Sequence, residues 1–273
     1  MWNGPYDFFD YKYSIAGYAG QDFHGAGRYI YLIASIVLIT ALLIIFRNAK
    51  RETVRRYLKV LGIFMVAIFL IKSSWETYFD ITIGPGHAFN IGLLPFDTCS
   101  IIMLAAPLAG FGKGKVEKLG AGWLASGGVV GGISNLLFLQ ALNYYPFWTF
   151  GAFYSMIWHF LMVFTGLWLL VTNYVDANVK TLLYGFVLHM AYSVIVIPVA
   201  YATNMDFMLY LRAGGAPLIE KLGAILWDKG LPFITTAIMI LIYFVCFAII
   251  IYAVRGIKEL VRFARKKPEE NHA

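Results

Sequence analysis

The chain has 273 residues, of which 60% are hydrophobic, 17% aromatic and only 14% charged. Its mean hydropathy of +0.70 implies more apolar side chain than a water-soluble globule can hide, and its density of rings excludes collagen-like, disordered and coiled-coil classes. A net charge of +7 would suggest a nucleic-acid partner in a soluble protein, but the bases fall in short clusters between apolar runs and read as topology signals.

The opening stretch MWNGPYDFFDYKYSIAGYAG has no basic region followed by a long apolar core, so it is not a cleavable signal peptide, and insertion begins with the first true span. A span needs about 20 mostly apolar residues to cross roughly 30 Å of hydrocarbon. Seven stretches qualify, at 29–46, 58–79, 92–111, 119–141, 146–171, 179–203 and 231–255. In the fourth, Gly127 and Gly131, and again Gly128 and Gly132, are four apart and permit close helix contact. The connection 204–230 carries Leu218, Ile219, Leu222, Ile225 and Leu226 on one helical face, which predicts an amphipathic surface helix over 216–227.

Counting Lys and Arg between the spans gives fifteen on one side, chiefly in 47–57, 112–118 and the tail after Tyr252, and five on the other. The basic side is cytoplasmic by the positive-inside rule. The fold expected is therefore an all-α seven-transmembrane-helix bundle of the cell membrane with its N-terminus outside and its C-terminus in the cytoplasm. Residues 1–28 form an extracytoplasmic segment, 29–255 the bundle with an amphipathic segment about 205–230, and 256–273 a basic tail.

The middle spans carry polar groups that are costly in lipid unless they face the bundle interior. On the outward-running second span, Glu76 lies roughly 5 Å and Lys72 roughly 10 Å below the outer end, one helix face shared by residues four apart. Asp97 and Cys99 lie at similar depth on the third span, with Asn135 and Gln140 on the fourth. His159 on the fifth and His189 on the sixth are deeper. Taken singly, each is accounted for by an ion pair or an interhelical hydrogen bond. Together they predict a polar cavity open to the outer half of the bilayer, in which Lys72 pairs with Glu76 or Asp97.

A thiol with an imidazole in reach is the minimal nucleophile and base for acyl transfer, and Cys99 with His159 is the pair placed for it. Cys246 stands among Phe and Ile and reads as a small hydrophobe. Two cysteines in apolar runs provide neither a disulfide framework nor a metal knuckle. With no HExxH spacing, phosphate-cradling loop, GxSxG elbow or nucleic-acid signature, neither a metal nor a cofactor is expected, and the partners expected are membrane lipids.

The LPFDTCS sequence opening the third span resembles the LPLHLCS-type motif of the bacterial YwaF-like integral membrane proteins, and TNMDFMLYL followed by AGGAPLIEKLGAILW resembles their segment before the last helix. Pro95, Cys99, Ser100, Asn204, Phe207, Pro217, Gly223 and Trp227 are the matching positions. The animal relatives of that family are similar to intramembrane acyltransferases that move fatty acyl chains between phospholipids, and the resemblance assigns their Cys and His roles to Cys99 and His159. Asp97 and Asp206 depart from the family pattern. Three functions remain open: a lipid acyltransferase or hydrolase supported by Lys72, Glu76, Asp97, Asn135, His189 and Asn204; a small-molecule or proton-coupled carrier; and a non-catalytic lipid-binding protein.

Overall fold

The computed structural model describes residues 7–12, 14, 26–84, 86–138, 145, 149–214 and 219–270. Its regular elements there are all helical: α1 (Ala26–Phe46), α2 (Arg51–Thr82), α3 (Ile102–Phe111), α4 (Lys115–Trp123), α5 (Val129–Phe138), α6 (Phe150–Val171), α7 (Val179–Thr203), α8 (Glu220–Asp228) and α9 (Pro232–Glu270). Among the described residues, four segments are long and apolar enough to cross a membrane: Tyr29–Phe46, Phe150–Val171, Val179–Thr203 and Pro232–Ala264.

The other three expected spans take different forms. The basic stretch 47–57 is mostly not a loop, because α2 begins at Arg51 with Glu52 in its first turn and runs for 32 residues. The third stretch carries one 3-10 turn at Ile91–Leu93 and is continuously helical only from Thr98 to Phe111. Pro95 accounts for the late start, since it lacks an N–H and pushes the preceding residue out of the α region. The fourth is continuous from Lys115 to Phe138, but α4 and α5 are joined by a π turn at Leu124–Gly128. There Ser126 Oγ donates back to the Gly122 carbonyl at 2.8 Å.

Helix contacts are made through notches. A Cβ on Gly62 of α2 would stand 2.8 Å from the Pro107 ring of α3, and one on Gly110 would stand 2.7 Å from the Lys59 backbone nitrogen. On α5, a Cβ at Gly132 would lie 2.5 Å from Val163 and 2.9 Å from the His159 carbonyl. The small-residue spacing in the fourth stretch thus serves packing, as expected where lipid offers helices no hydrophobic drive to associate. At the basic end, Arg51 donates to the Tyr174 carbonyl and to Glu117 (3.0 and 2.5 Å), while its guanidinium lies 4.1 Å from the Tyr174 ring centroid. Tyr174 donates to the same Glu117 carboxylate at 2.7 Å. Burial, and then that carboxylate, holds its phenol well above the ordinary range.

The connection after α7 is built around Asp206. Asn204 ends α7 in the left-handed region at φ 57°, a conformation asparagine tolerates. The Asp206 carboxylate then accepts from the backbone N–H groups of Leu211, Arg212 and Gly214 at 2.8 to 3.0 Å. This folds the loop inward, burying Phe207, Met208, Tyr210 and Leu211. Asp206, one of the two departures from the family pattern, is thus a loop organiser. The surface helix is α8, which begins at Glu220 rather than 216. Arg212 stacks on its Trp227 at 3.7 Å, and its Gly223 lies against the Arg212 carbonyl. Pro217 and Leu218 lie outside the described residues.

Because Gly132 admits no side chain without moving α6, Gly132→Val should destabilise the protein by about 1–3 kcal/mol. Gly256→Val, where a Cβ meets nothing within 4 Å, should be nearly neutral. Thermal denaturation of the two variants in the same detergent checks the contrast.

Candidate functional site

α2 presents Lys72, Glu76 and Asp80 four residues apart, so the three side chains form one row. Lys72 Nζ stands 2.5 Å from Glu76 Oε2, with the Glu76 side chain 1% exposed and that of Lys72 15%. Tyr145 donates its hydroxyl to the other Glu76 oxygen. The ammonium also faces the rings of Tyr154 and Tyr145, at 5.4 and 6.0 Å from their centroids. The carboxylate and the ring faces together replace the water such a charge has lost. The expected Lys72 pairing is thus made to Glu76, while Asp97 acts on Lys72 from a distance.

Residues 7–12 close over the end of this row. Trp75 donates its indole N–H to the Phe9 carbonyl at 3.0 Å, and the Phe150 N–H is held by the Phe8 carbonyl at 2.6 Å. Tyr11, 2% exposed, packs edge-on against Trp75 at 5.2 Å and tilts against Phe79 and Tyr145 at 5.7 and 6.1 Å.

Cys99 lies on the turn Thr98–Ile101 that leads into α3. Trp158 of α6 donates to the Cys99 carbonyl at 3.2 Å, and Tyr154, one helical turn away, tilts against Trp158 with ring centroids 5.0 Å apart. Tyr192 of α7 donates to the Pro95 carbonyl. Lys72 and Asp97, together with the phenols of Tyr154 and Tyr192, are all near enough to Cys99 to interact with it electrostatically. Asp97 is exposed, two residues before Cys99. The structure thus brings Cys99, Asp97, Lys72 and Glu76 into one neighbourhood, and adds Tyr145, Tyr154, Trp158 and Tyr192.

His159 is buried one residue beyond Trp158, so its side chain leaves α6 about 100° round the axis. Its Nδ1 lies 2.7 Å from the Ser155 carbonyl. Because a carbonyl only accepts, the proton sits on Nδ1 and the Nε2 lone pair is left for a donor. Among the described residues no hydrogen bond joins His159 to Cys99. His189 belongs to a different cluster: Nε2 lies 3.3 Å from the Tyr210 hydroxyl, which is 2.6 Å from Ser193 Oγ. The Tyr243 ring lies 4.5 Å from the imidazole, and its hydroxyl meets Thr98 Oγ1 at 2.8 Å. Asn135 is half-buried on α5, which touches the Thr98–Ile101 turn. Asn204 ends α7 and offers its carbonyl to Arg212 at 3.1 Å. Ser100 is buried. Gln140 lies outside the described residues.

Four apolar helices around buried, mutually neutralised charges define an all-helical membrane protein. It belongs to the TMEM164 family, which it matches over residues 23–250. No curated protein and no solved structure matches it.

Removing one partner of the buried pair strands the other, so Lys72→Met and Glu76→Met should each destabilise the protein by about 3–5 kcal/mol. The double variant should recover much of that loss, because no unpaired charge then remains. Melting temperatures of the three variants check the order.

Proposed function

We propose that the chain is an intramembrane lipid acyltransferase or lipid hydrolase with Cys99 as nucleophile and His159 as its base. The bundle crosses the membrane seven times, with the N-terminus outside and the C-terminus cytoplasmic. On this reading α2, the short Thr98–Phe111 helix and the α4–α5 rod complete the spans begun by α1, α6, α7 and α9. The observation that carries the proposal is the position of Cys99: a thiol at the start of a shortened helix, two residues from the exposed Asp97 and in the neighbourhood of a buried ion pair. The cytoplasmic assignment rests on the excess of Lys and Arg at one end.

In the first step Cys99 Sγ attacks the carbonyl carbon of a lipid ester while its proton passes to His159 Nε2. The lone Nδ1 proton held by Ser155 keeps Nε2 available. Because Trp158 rather than His159 faces the Cys99 turn, the proton travels through one intervening water. The carbon–sulfur bond forms, the ester carbon–oxygen bond breaks, and the departing alkoxide takes the proton from His159. A second lipid hydroxyl, or water, then attacks the thioester. It gives its proton to His159, the carbon–sulfur bond breaks, and the proton returns to the thiolate. The Asn135 amide supports the developing oxyanion. Lys72 and Glu76 hold α2 against the site, Asp97 sets the charge at its mouth, and His189 and Asn204 fix α7 and its following loop.

The row Lys72, Glu76 and Asp80 favours a second reading, a proton-coupled carrier, because ionisable groups one turn apart on a membrane helix can relay protons. An acyl-donor probe that captures thioesters separates the two. Labelling should be lost in Cys99→Ala and retained in Cys246→Ala, whereas a carrier would label neither more than the other. Cys99→Ala should keep the parent melting temperature, since a half-buried thiol contributes little packing, and His189→Ala should reduce turnover much less than His159→Ala. A reporter fused after Ala273 that is active only outside the cell would overturn the orientation.

A further inference from the structure

α9 is longer than a bilayer requires. Its 39 residues extend about 58 Å at 1.5 Å per residue, whereas roughly 30 Å of hydrocarbon takes about 20 residues. The level at which the rest of the bundle ends is marked by Lys258, whose Nζ donates to the Leu170 carbonyl at the end of α6 (2.5 Å) and to Asn173 Oδ1 beyond it (2.7 Å). From that level onward α9 does not become polar all round. Ile257, Leu260, Val261 and Phe263 follow one another with 46% to 69% of their surface exposed, and Ile257, Leu260 and Val261 share a face at helical spacing. Arg255, Lys258 and Arg262, at positions i, i+3 and i+7, occupy another. Three bases against the single acid Glu259 leave residues 253–264 with a net charge of +2, although Arg255 spends part of its field on Glu259 at 2.8 Å.

An apolar stripe at a helix's exit from the membrane, flanked by a basic edge, matches one surface in particular. Its stripe suits the boundary between headgroups and acyl chains, and its bases suit the phosphates just outside it. We infer that residues 255–263 of α9 are a docking surface for anionic phospholipid headgroups in the leaflet on the basic side of the protein. The stripe lies in the headgroup region, and Arg255 and Arg262 contact lipid phosphate while Lys258 stays on α6. This inference is independent of any reaction at Cys99.

The test uses the full chain in lipid nanodiscs, with an environment-sensitive fluorophore on Leu260→Cys in a background of Cys99→Ser and Cys246→Ser. In phosphatidylcholine discs containing phosphatidylglycerol the probe should be quenched from within the lipid. In pure phosphatidylcholine it should be several-fold more accessible to an aqueous quencher, and high salt should produce the same change. A probe on Glu259→Cys should stay accessible to water in both. Arg255→Gln with Arg262→Gln should weaken the phosphatidylglycerol dependence about tenfold, and the paired Lys substitutions should retain it. The inference is overturned if the Leu260 probe is equally water-accessible in both lipids, or equally lipid-embedded in both. Efficient 260-to-260 crosslinking between copies, whatever the lipid, would also overturn it by making the stripe a self-association face.

Discussion

A charge that cannot reach water has to be met by protein, and in this chain that requirement fixes where α2 stands. Lys72 and Glu76 neutralise each other within one turn, but two side chains on one helix leave lone pairs and protons over, and these have to be answered from elsewhere. Tyr145 answers for Glu76, and the rings of Tyr154 and Tyr145 cover the ammonium. Those residues come from α6 and from the connection before it. The pair therefore draws the C-terminal half of α2 against α6 even though the notches that bind α2 most closely face α3.

The same economy governs the Thr98–Ile101 turn. Pro95 stops the helix early, so backbone groups that a full-length helix would satisfy internally must find partners. The Pro95 carbonyl is taken by Tyr192, the Cys99 carbonyl by Trp158 and the Thr98 hydroxyl by Tyr243. Three helices thus converge on one break.

How much of this can be read from residues alone depends on how local the cause is. The ion pair is legible because its members are one turn apart. So are the ends of α7, where Asn178 accepts from Lys180 and Thr181 N–H groups and Asn204 closes the helix. The late start of α3 is written in Pro95, yet an apolar count over 92–111 passes straight through it. The role of Asp206 is hidden because its three partners lie five to eight residues away, in a loop with no periodicity. Tyr145, Tyr154 and Trp158 carry no signal beyond aromaticity. The direction of His159 is set by how α6 rotates against α5, where Gly132 admits the His159 backbone, and a linear spacing does not encode that rotation.

α1 is fixed to the bundle near both ends. Tyr31 donates to the Met156 carbonyl, and the Phe46 carbonyl accepts from Trp168 at the opposite end. Both partners belong to α6, more than a hundred residues later in the chain. Synthesis proceeds from the N-terminus, so α1 is made before the helix that holds it. Its neighbour does not yet exist at that moment, and both contacts close only after α6 has followed.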